Sequence, residues 1–248
     1  ILVAQETTVY GIDLYGEKML PELLRKLCTI EGLVWIRLLY CYPEEITKEL
    51  IQVMKEQPKV CHYLDLPIQH ANDEILRRMG RRTSKQELID KIDFLRSEMP
   101  DITLRTTLIT GFPGETKEQH KELLEFINDM EFDRLGVFTY SPEEGTPAAA
   151  MEHQIDEEVK LDRQAELMEL QQDISAELGE RRIGQELLVM IEGKVADEDA
   201  YVGRSQADAP GVDGYVFVNT PETLVSGDFV RVKITGALEY DLIGEISQ

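Results

Sequence analysis

The sequence predicts an α/β protein: a partial (β/α) barrel or open parallel sheet, followed by a small antiparallel β-barrel of the OB type. Three observations predict it. Apolar strand-like segments alternate with amphipathic helical ones over residues 1–140, a long charged helix follows, and after Gly184 the pattern changes to short strands separated by Gly, Asp, Asn and Pro.

Residues 1–4 are apolar and read as a strand, and residues 17–30 carry Leu20, Leu23, Leu24 and Leu27 at helical spacing. Residues 33–40 form the next strand, with a helix over 44–56 after Pro43. A third strand at 63–66 precedes helices over 72–79 and 84–99, the second opened by an S-x-x-E capping box at Ser84 and Glu87. A strand over 102–110, a helix over 115–130 and a fifth strand over 134–140 complete the series. Alternation at this spacing implies parallel strands with right-handed crossovers, and five βα units are too few for a complete eight-fold barrel. The helix over 156–180, with Val159, Leu167, Leu170 and Ile174 among its apolar positions, reads as a bridge. Strands at 186–191, 200–205, 214–218, 228–234 and 242–246 then build the small barrel, and a boundary near Arg182 gives domains 1–182 and 183–248.

A chain of 248 residues that is 42% hydrophobic can bury a sizeable core. No apolar run reaches membrane length and no signal peptide is visible, so no membrane partner is expected. Cys28, Cys41 and Cys61 lack metal-type spacing and read as reduced thiols in a cytosolic protein. The chain opens without Met inside a strand-like segment, which predicts that an N-terminal part has been removed. Twenty-six basic against 48 acidic residues give −22, and residues 184–248 alone, with four basic and twelve acidic, give −8. Such a field repels nucleic acid, attracts basic partners and argues against an RNA-gripping OB module, which needs a positive groove.

The densest motif is TLRTTLITGFPGET over 103–116, a β-branched strand that stops at a tight turn and enters a helix. Gly111 and Gly114 permit close backbone approach or positive φ around Pro113, and Glu115 is expected to open the helix, where a carboxylate suits the dipole. Taken alone this is ordinary βα punctuation, or an anion nest of a phosphate-binding α/β enzyme.

Four segments together, RTTLITGFPGET (105–116), DLPIQH (65–70), RRMGRRTS (77–84) and FTYSPEEGTPAA (138–149), resemble the core of the radical SAM methylthiotransferases. The closing YVGRSQADAPGVDGYVFV (201–218) resembles the TRAM domain of one branch, and RLLYCYP (37–43) points to the same branch. That resemblance covers essentially the whole chain and implies a partial radical SAM barrel followed by a TRAM barrel. It implies the cofactors S-adenosyl-L-methionine (SAM) and two [4Fe-4S] clusters. The implied reaction is methylthiolation of the β-carbon of an aspartate in the basic small-subunit ribosomal protein twelve. A tRNA-modifying member is the nearest alternative, disfavoured by the acidic small domain. The C-x-x-x-C-x-x-C loop of the family does not occur here, so no metal ligands are expected in this chain and it is expected to be inactive alone.

Under the resemblance, the SAM pocket is expected to draw on Gln5, Thr7, Gln69, His70, Arg105, Thr107, Ile109, Gly111 and Tyr140, all at or near strand ends. Thr8 and Ser141 neighbour them. Arg105 and Thr107 alternate onto one strand face, where a guanidinium either holds a carboxylate ligand or serves a structural ion pair. Arg77, Arg78, Arg81 and Arg82 flank Gly80; they read chiefly as caps on a helix C-terminus and alternatively as an anion site. Asp208 and Asp213, in the ADAPGVDG tract, are the expected substrate contacts of the small domain.

Overall fold

Four parallel strands stand in sequence order in the computed structural model, which describes residues 1–247. They are β1 (Ile36–Leu38), β2 (Val60–Asp65), β3 (Thr103–Thr110) and β4 (Arg134–Thr139). Asp65 lies in register with Arg105, and Ile109 with Phe138. The expected strand over 1–4 contributes one parallel bridge, Leu2 to Leu38, and the strand expected over 33–40 contracts to three residues. The reason is local. Tyr40 turns to φ 55 and gives its amide to Asp65 Oδ2 at 3.0 Å, which ends the ladder.

Seven α-helices are described: α1 (Ile12–Tyr15), α2 (Leu20–Cys28), α3 (Lys48–Glu56), α4 (Asp73–Arg78), α5 (Lys85–Glu98), α6 (Lys117–Met130) and α7 (Glu157–Glu180). The starts of α3, α4, α5 and α6 follow from side-chain caps. Asn72 Oδ1 accepts from the amides of Glu74 and Ile75, and Ser84 with Glu87 forms the anticipated capping box. The helix expected over 44–56 is split into a 3-10 turn, Pro43–Glu45, and α3, because Ile46 is extended and Thr47 caps the amide of Leu50 at 3.1 Å. A second capping box, Thr116 with Gln119, starts α6. Glu115 therefore precedes the cap instead of opening the helix, and its carboxylate points elsewhere. The β2–β3 centre of the sheet is buried through Tyr63, Leu64, Leu104 and Leu108, and Leu123, Phe126 and Ile127 of α6 are buried with them.

Ile1–Gln171 forms one compact unit and Gln172–Gln248 the other, so the division falls inside α7. The second unit is a closed barrel of β5 (Glu186–Lys194), β6 (Ala200–Ser205), β7 (Val216–Asn219), β8 (Phe229–Ala237) and β9 (Leu242–Ile246), in the order β5-β6-β7-β9-β8. The expectation of a wholly antiparallel barrel is corrected here: β7 and β9 run parallel, with Val216 beside Leu242. A ring of five strands cannot alternate direction throughout, so closure requires one parallel pair. Val189, Ile191, Val216, Val218, Val232 and Ile234 alternate inward and fill it. Among the described residues no helix is long and apolar enough to cross a membrane.

Gly244 lets β9 close on its neighbour, since a Cβ there would stand 2.6 Å from the Lys233 carbonyl oxygen. Gly244→Ala is expected to destabilise the barrel by about 2 kcal/mol through overpacking, read as a lower urea midpoint of the transition followed by far-ultraviolet circular dichroism. An unchanged midpoint would show that the barrel relaxes around the methyl.

Candidate active site

Three carboxylates organise the loops at the C-terminal ends of the parallel strands. Glu6 accepts from the Thr8 amide at 2.9 Å and from its hydroxyl through one oxygen, and from the Tyr42 amide at 2.8 Å through the other. Asp65 accepts from the Tyr40 amide and, at 2.8 Å, from Arg105 Nη1. Glu115 Oε2 accepts from the amides of Gly111 and Phe112, the latter at 3.2 Å. A carboxylate that takes two backbone N–H groups fixes a loop more firmly than a neutral acceptor does.

Glu115 is the most enclosed of the three, with its side chain fully buried. Its second oxygen, Oε1, lies 3.3 Å from Arg163 Nη1, 3.7 Å from His120 Nδ1 and 3.9 Å from His70 Nε2. Burial alone would push this carboxyl up, but His70, Arg163 and the Gly111 amide outweigh it and hold it below its ordinary value. His70 Nδ1 accepts the Asn72 amide at 2.9 Å, so the neutral ring carries its proton on Nε2, toward Glu115. His120 Nε2 meets Glu166 at 2.7 Å on the other side.

Above this base lies a cleft of about 750 Å³. Tyr42 after β1, Gln69 after β2, Ile109 and Phe112 at the end of β3 and Tyr140 after β4 line it. Arg78, Arg81 and Arg82 form its rim, with Pro147, Ala148 and Met151 opposite in sequence. Arg81 stacks over the Tyr42 ring at 4.4 Å and donates through Nη2 to the Pro67 carbonyl at 2.7 Å. Arg78 lies 5.8 Å from the Phe112 ring centroid, and Phe112 meets Tyr140 edge to face at 5.3 Å. Four buried polar atoms of cleft residues have no hydrogen-bond partner: Gln69 Oε1, the Tyr140 hydroxyl, Arg81 Nε and Glu44 Oε2. Unmet buried polar atoms around a concave space are what a polar ligand satisfies.

The structure brings some of the expected site residues together and assigns others elsewhere. Gln69, Ile109 and Tyr140 line the cleft, and Arg105 and Thr107 share the strand face of Ile109. Arg105, the third residue of β3, is engaged by Asp65 at the end of β2 and by Thr107 Oγ1 at 3.3 Å. His70 is wholly buried beneath the cleft, and Gly111 forms the turn at φ 73. Gln5 is exposed, while Thr7 is buried with its hydroxyl donated to the Leu39 carbonyl at 2.6 Å, which takes that hydroxyl away from a ligand. Asp208 is corrected as a surface contact: it is 1% exposed, and its Oδ2 accepts from the Ser205 amide and hydroxyl. Asp213 Oδ2 accepts from the Ala209 amide at 2.8 Å, so both carboxylates hold their own loop. Sequence reasoning missed Phe112 and the tie made by Glu6, whose signal was a lone acid beside two threonines.

Among the described residues no group of three or more His, Cys, Asp or Glu side chains could hold a metal ion. Burial pushes the Cys41 thiol far up, with Glu6 and Asp65 adding to it, which opposes the thiolate an iron ligand needs. The residues present therefore do not fit an iron–sulfur cluster.

Residues 2–127 match the model of the Radical SAM superfamily, and residues 183–246 match that of a TRAM domain. The chain is similar to the ribosomal protein uS12 methylthiotransferase RimO of Lachnoclostridium phytofermentans, 63% identical over 244 residues, covering 98% of this chain and 56% of the relative. The protein of the same name from Desulfitobacterium hafniense is 55% identical over 248 residues, covering 100% and 56%. That of Clostridium botulinum strain Langeland is 54% identical over 246 residues, covering 99% and 55%. The chain thus spans about half the length of the curated relatives it matches.

Because Glu115 is held below its ordinary value of 4.5, its stabilising contribution is complete above that value and declines as pH falls below it. Glu115→Gln leaves Arg163 buried without its counter-charge and is expected to cost about 3 kcal/mol at pH 7. The gap between wild type and variant should close toward pH 3, measured by urea unfolding at both pH values. A gap that persists in acid would mean that the carboxylate's charge is not what stabilises the turn.

Proposed function

The chain belongs to the radical SAM superfamily, and from that premise we propose that it is the barrel and TRAM portion of a methylthiotransferase acting on ribosomal protein uS12. The observation that carries this reading is the cleft at the strand ends, where Gln69 Oε1, the Tyr140 hydroxyl and Arg81 Nε stand buried without partners. SAM presents hydroxyls, an ammonium, a carboxylate and a flat adenine, which suit such atoms and the apolar surfaces of Ile109 and Phe112. When bound and reduced by an iron–sulfur cluster, SAM supplies the radical chemistry that opens a C–H bond. The residues of this chain bind and orient: the Glu6, Asp65 and Glu115 ties hold the loops, and the arginine rim gives the cleft a positive edge. The target atom is the β-carbon of an aspartate, as the resemblance of the whole chain to this branch implies.

The two iron–sulfur clusters of that reading need ligands from outside the described residues, since no suitable group occurs among them. Residues 1–248 reconstituted with iron and sulfide are accordingly expected to hold no stable cubane. The partner reading rests on charge. A chain of net −22 attracts a basic ribosomal protein, and association should slow as salt rises, the Debye length shrinking to roughly 8 Å at physiological ionic strength.

The test uses the full-length gene product with both clusters reconstituted, SAM, a reductant and either purified uS12 or tRNA. A methylthio group on an aspartate of uS12, located by peptide mass spectrometry, is the expected result. Modification of tRNA with uS12 left untouched would overturn the substrate, and phosphate binding at residues 111–115 with no SAM affinity would overturn the reading altogether.

A further inference from the structure

Helix α7 is charged along its length, yet two of its basic side chains are withdrawn from water. Lys160 is 5% exposed and Arg163 7%. Burying a cation is costly, and a charged helix offers free surface on which to avoid it. Both side chains lead to the same place. The Lys160 stem lies across Gly111 so closely that a Cβ there would overlap Lys160 Cγ. Its Nζ donates to the Tyr140 carbonyl at 2.9 Å and meets Glu157 at 3.1 Å. Arg163 Nη1 donates to the Glu115 carbonyl at 3.1 Å and pairs with Glu115 Oε1.

These contacts fall on the backbone of the two loops that form the cleft floor, the turn after β3 and the end of β4. The turn has few other anchors. Gly111 and Phe112 give their amides to Glu115, Gly114 gives its amide to the His153 carbonyl at 2.7 Å, and Tyr140 gives its amide to Thr110 at 2.9 Å. Without Arg163, the carboxylate that holds the turn loses its guanidinium partner. Without Lys160, the Tyr140 carbonyl loses its donor and the Gly111 surface its cover.

We propose that the first two turns of α7 are a clasp, with Lys160 and Arg163 as positioning residues that fix the cleft floor so that Ile109, Phe112 and Tyr140 meet the ligand. The ligand part of this inference rests on the reading that SAM occupies the cleft. The clasp itself rests on the contacts alone.

Two measurements test it. The first is amide hydrogen exchange on this chain, comparing wild type with Lys160→Met, which keeps the stem over Gly111, and with Arg163→Met. Exchange at Gly111, Phe112, Gly114 and Tyr140 should accelerate about tenfold while β2 and α5 stay unchanged, the pattern of a local opening. The second is SAM affinity of the cluster-loaded full-length enzyme, expected to weaken about tenfold in both variants, about 1.4 kcal/mol. Arg163→Lys keeps a donor for the Glu115 carbonyl and should recover most of the loss seen with Arg163→Met. Uniform acceleration across the sheet would make the two residues merely structural and overturn the proposal. Local acceleration with unaltered SAM affinity would overturn the positioning role. A wild-type enzyme with no SAM affinity would overturn the reading of the cleft, while the exchange pattern would still decide the clasp.

Discussion

A buried carboxylate is the constraint on which the first unit depends. Glu115 carries a carboxylate inside a protein interior, which costs several kcal/mol unless hydrogen bonds and nearby opposite charge offset it. The offset comes from four separate pieces of chain: the amides of Gly111 and Phe112 in the turn after β3 hydrogen-bond Oε2, and His70 beyond β2, His120 on α6 and Arg163 on α7 stand close to Oε1, which makes no hydrogen bond. None of these is a neighbour of another in sequence except the turn itself. A single ionised group thus sets where two helices and two strand ends meet, and the cleft inherits its floor from that junction.

The other two acids extend the same logic. Glu6 ties the segment after Leu2 to the Tyr42 amide, and Asp65 ties the Tyr40 amide to Arg105. The segments that follow β1 and β3 each give to a carboxylate the backbone N–H groups that the parallel arrangement leaves unpaired where ladders stop. Glu6, Asp65 and Glu115 are therefore committed to architecture. What lines the cleft is an amide oxygen, a phenol, apolar rings, guanidinium groups and the carboxylates of Glu44 and Glu45, a set suited to binding and orienting a polar ligand.

Much of the fold was legible because local signals agreed with tertiary ones. Ser84 with Glu87 and the β-branched run of 103–110 each carried a pattern that the structure repeats almost residue for residue. The errors share a cause. Residues 1–4 and 33–40 are apolar enough for strands, but strand length is decided by where loops take the amides, and Tyr40 gives its amide to a side chain 25 positions away. Glu115 followed a Pro-Gly turn and looked like a first-turn carboxylate; nothing local revealed that Thr116 would cap and Glu115 would fold back. Asp208 looked like loop charge for the same reason, since an Asp that holds the Ser205 amide reads identically to one that faces solvent. Lys160 and Arg163 were hidden most completely, because cations on a charged amphipathic helix are ordinarily solvated.

Charge distribution joins these observations into one argument. With 48 acidic and 26 basic residues the chain can pair most of its cations, and the described ion pairs on α2, α3 and α5 do so at the surface, where each contributes little to stability. The cations that matter are the ones placed where acids are scarce or spoken for. Lys160 and Arg163 are spent inward on carbonyls and on Glu115, and Arg78 and Arg81 lie against the rings of Phe112 and Tyr42 at the cleft. An acidic exterior around a cleft with a guanidinium edge creates two fields of opposite sign on one molecule. The acidic surface attracts basic groups and the arginine edge of the cleft attracts anionic ones, so electrostatics sorts groups of opposite charge to different places before any specific contact forms.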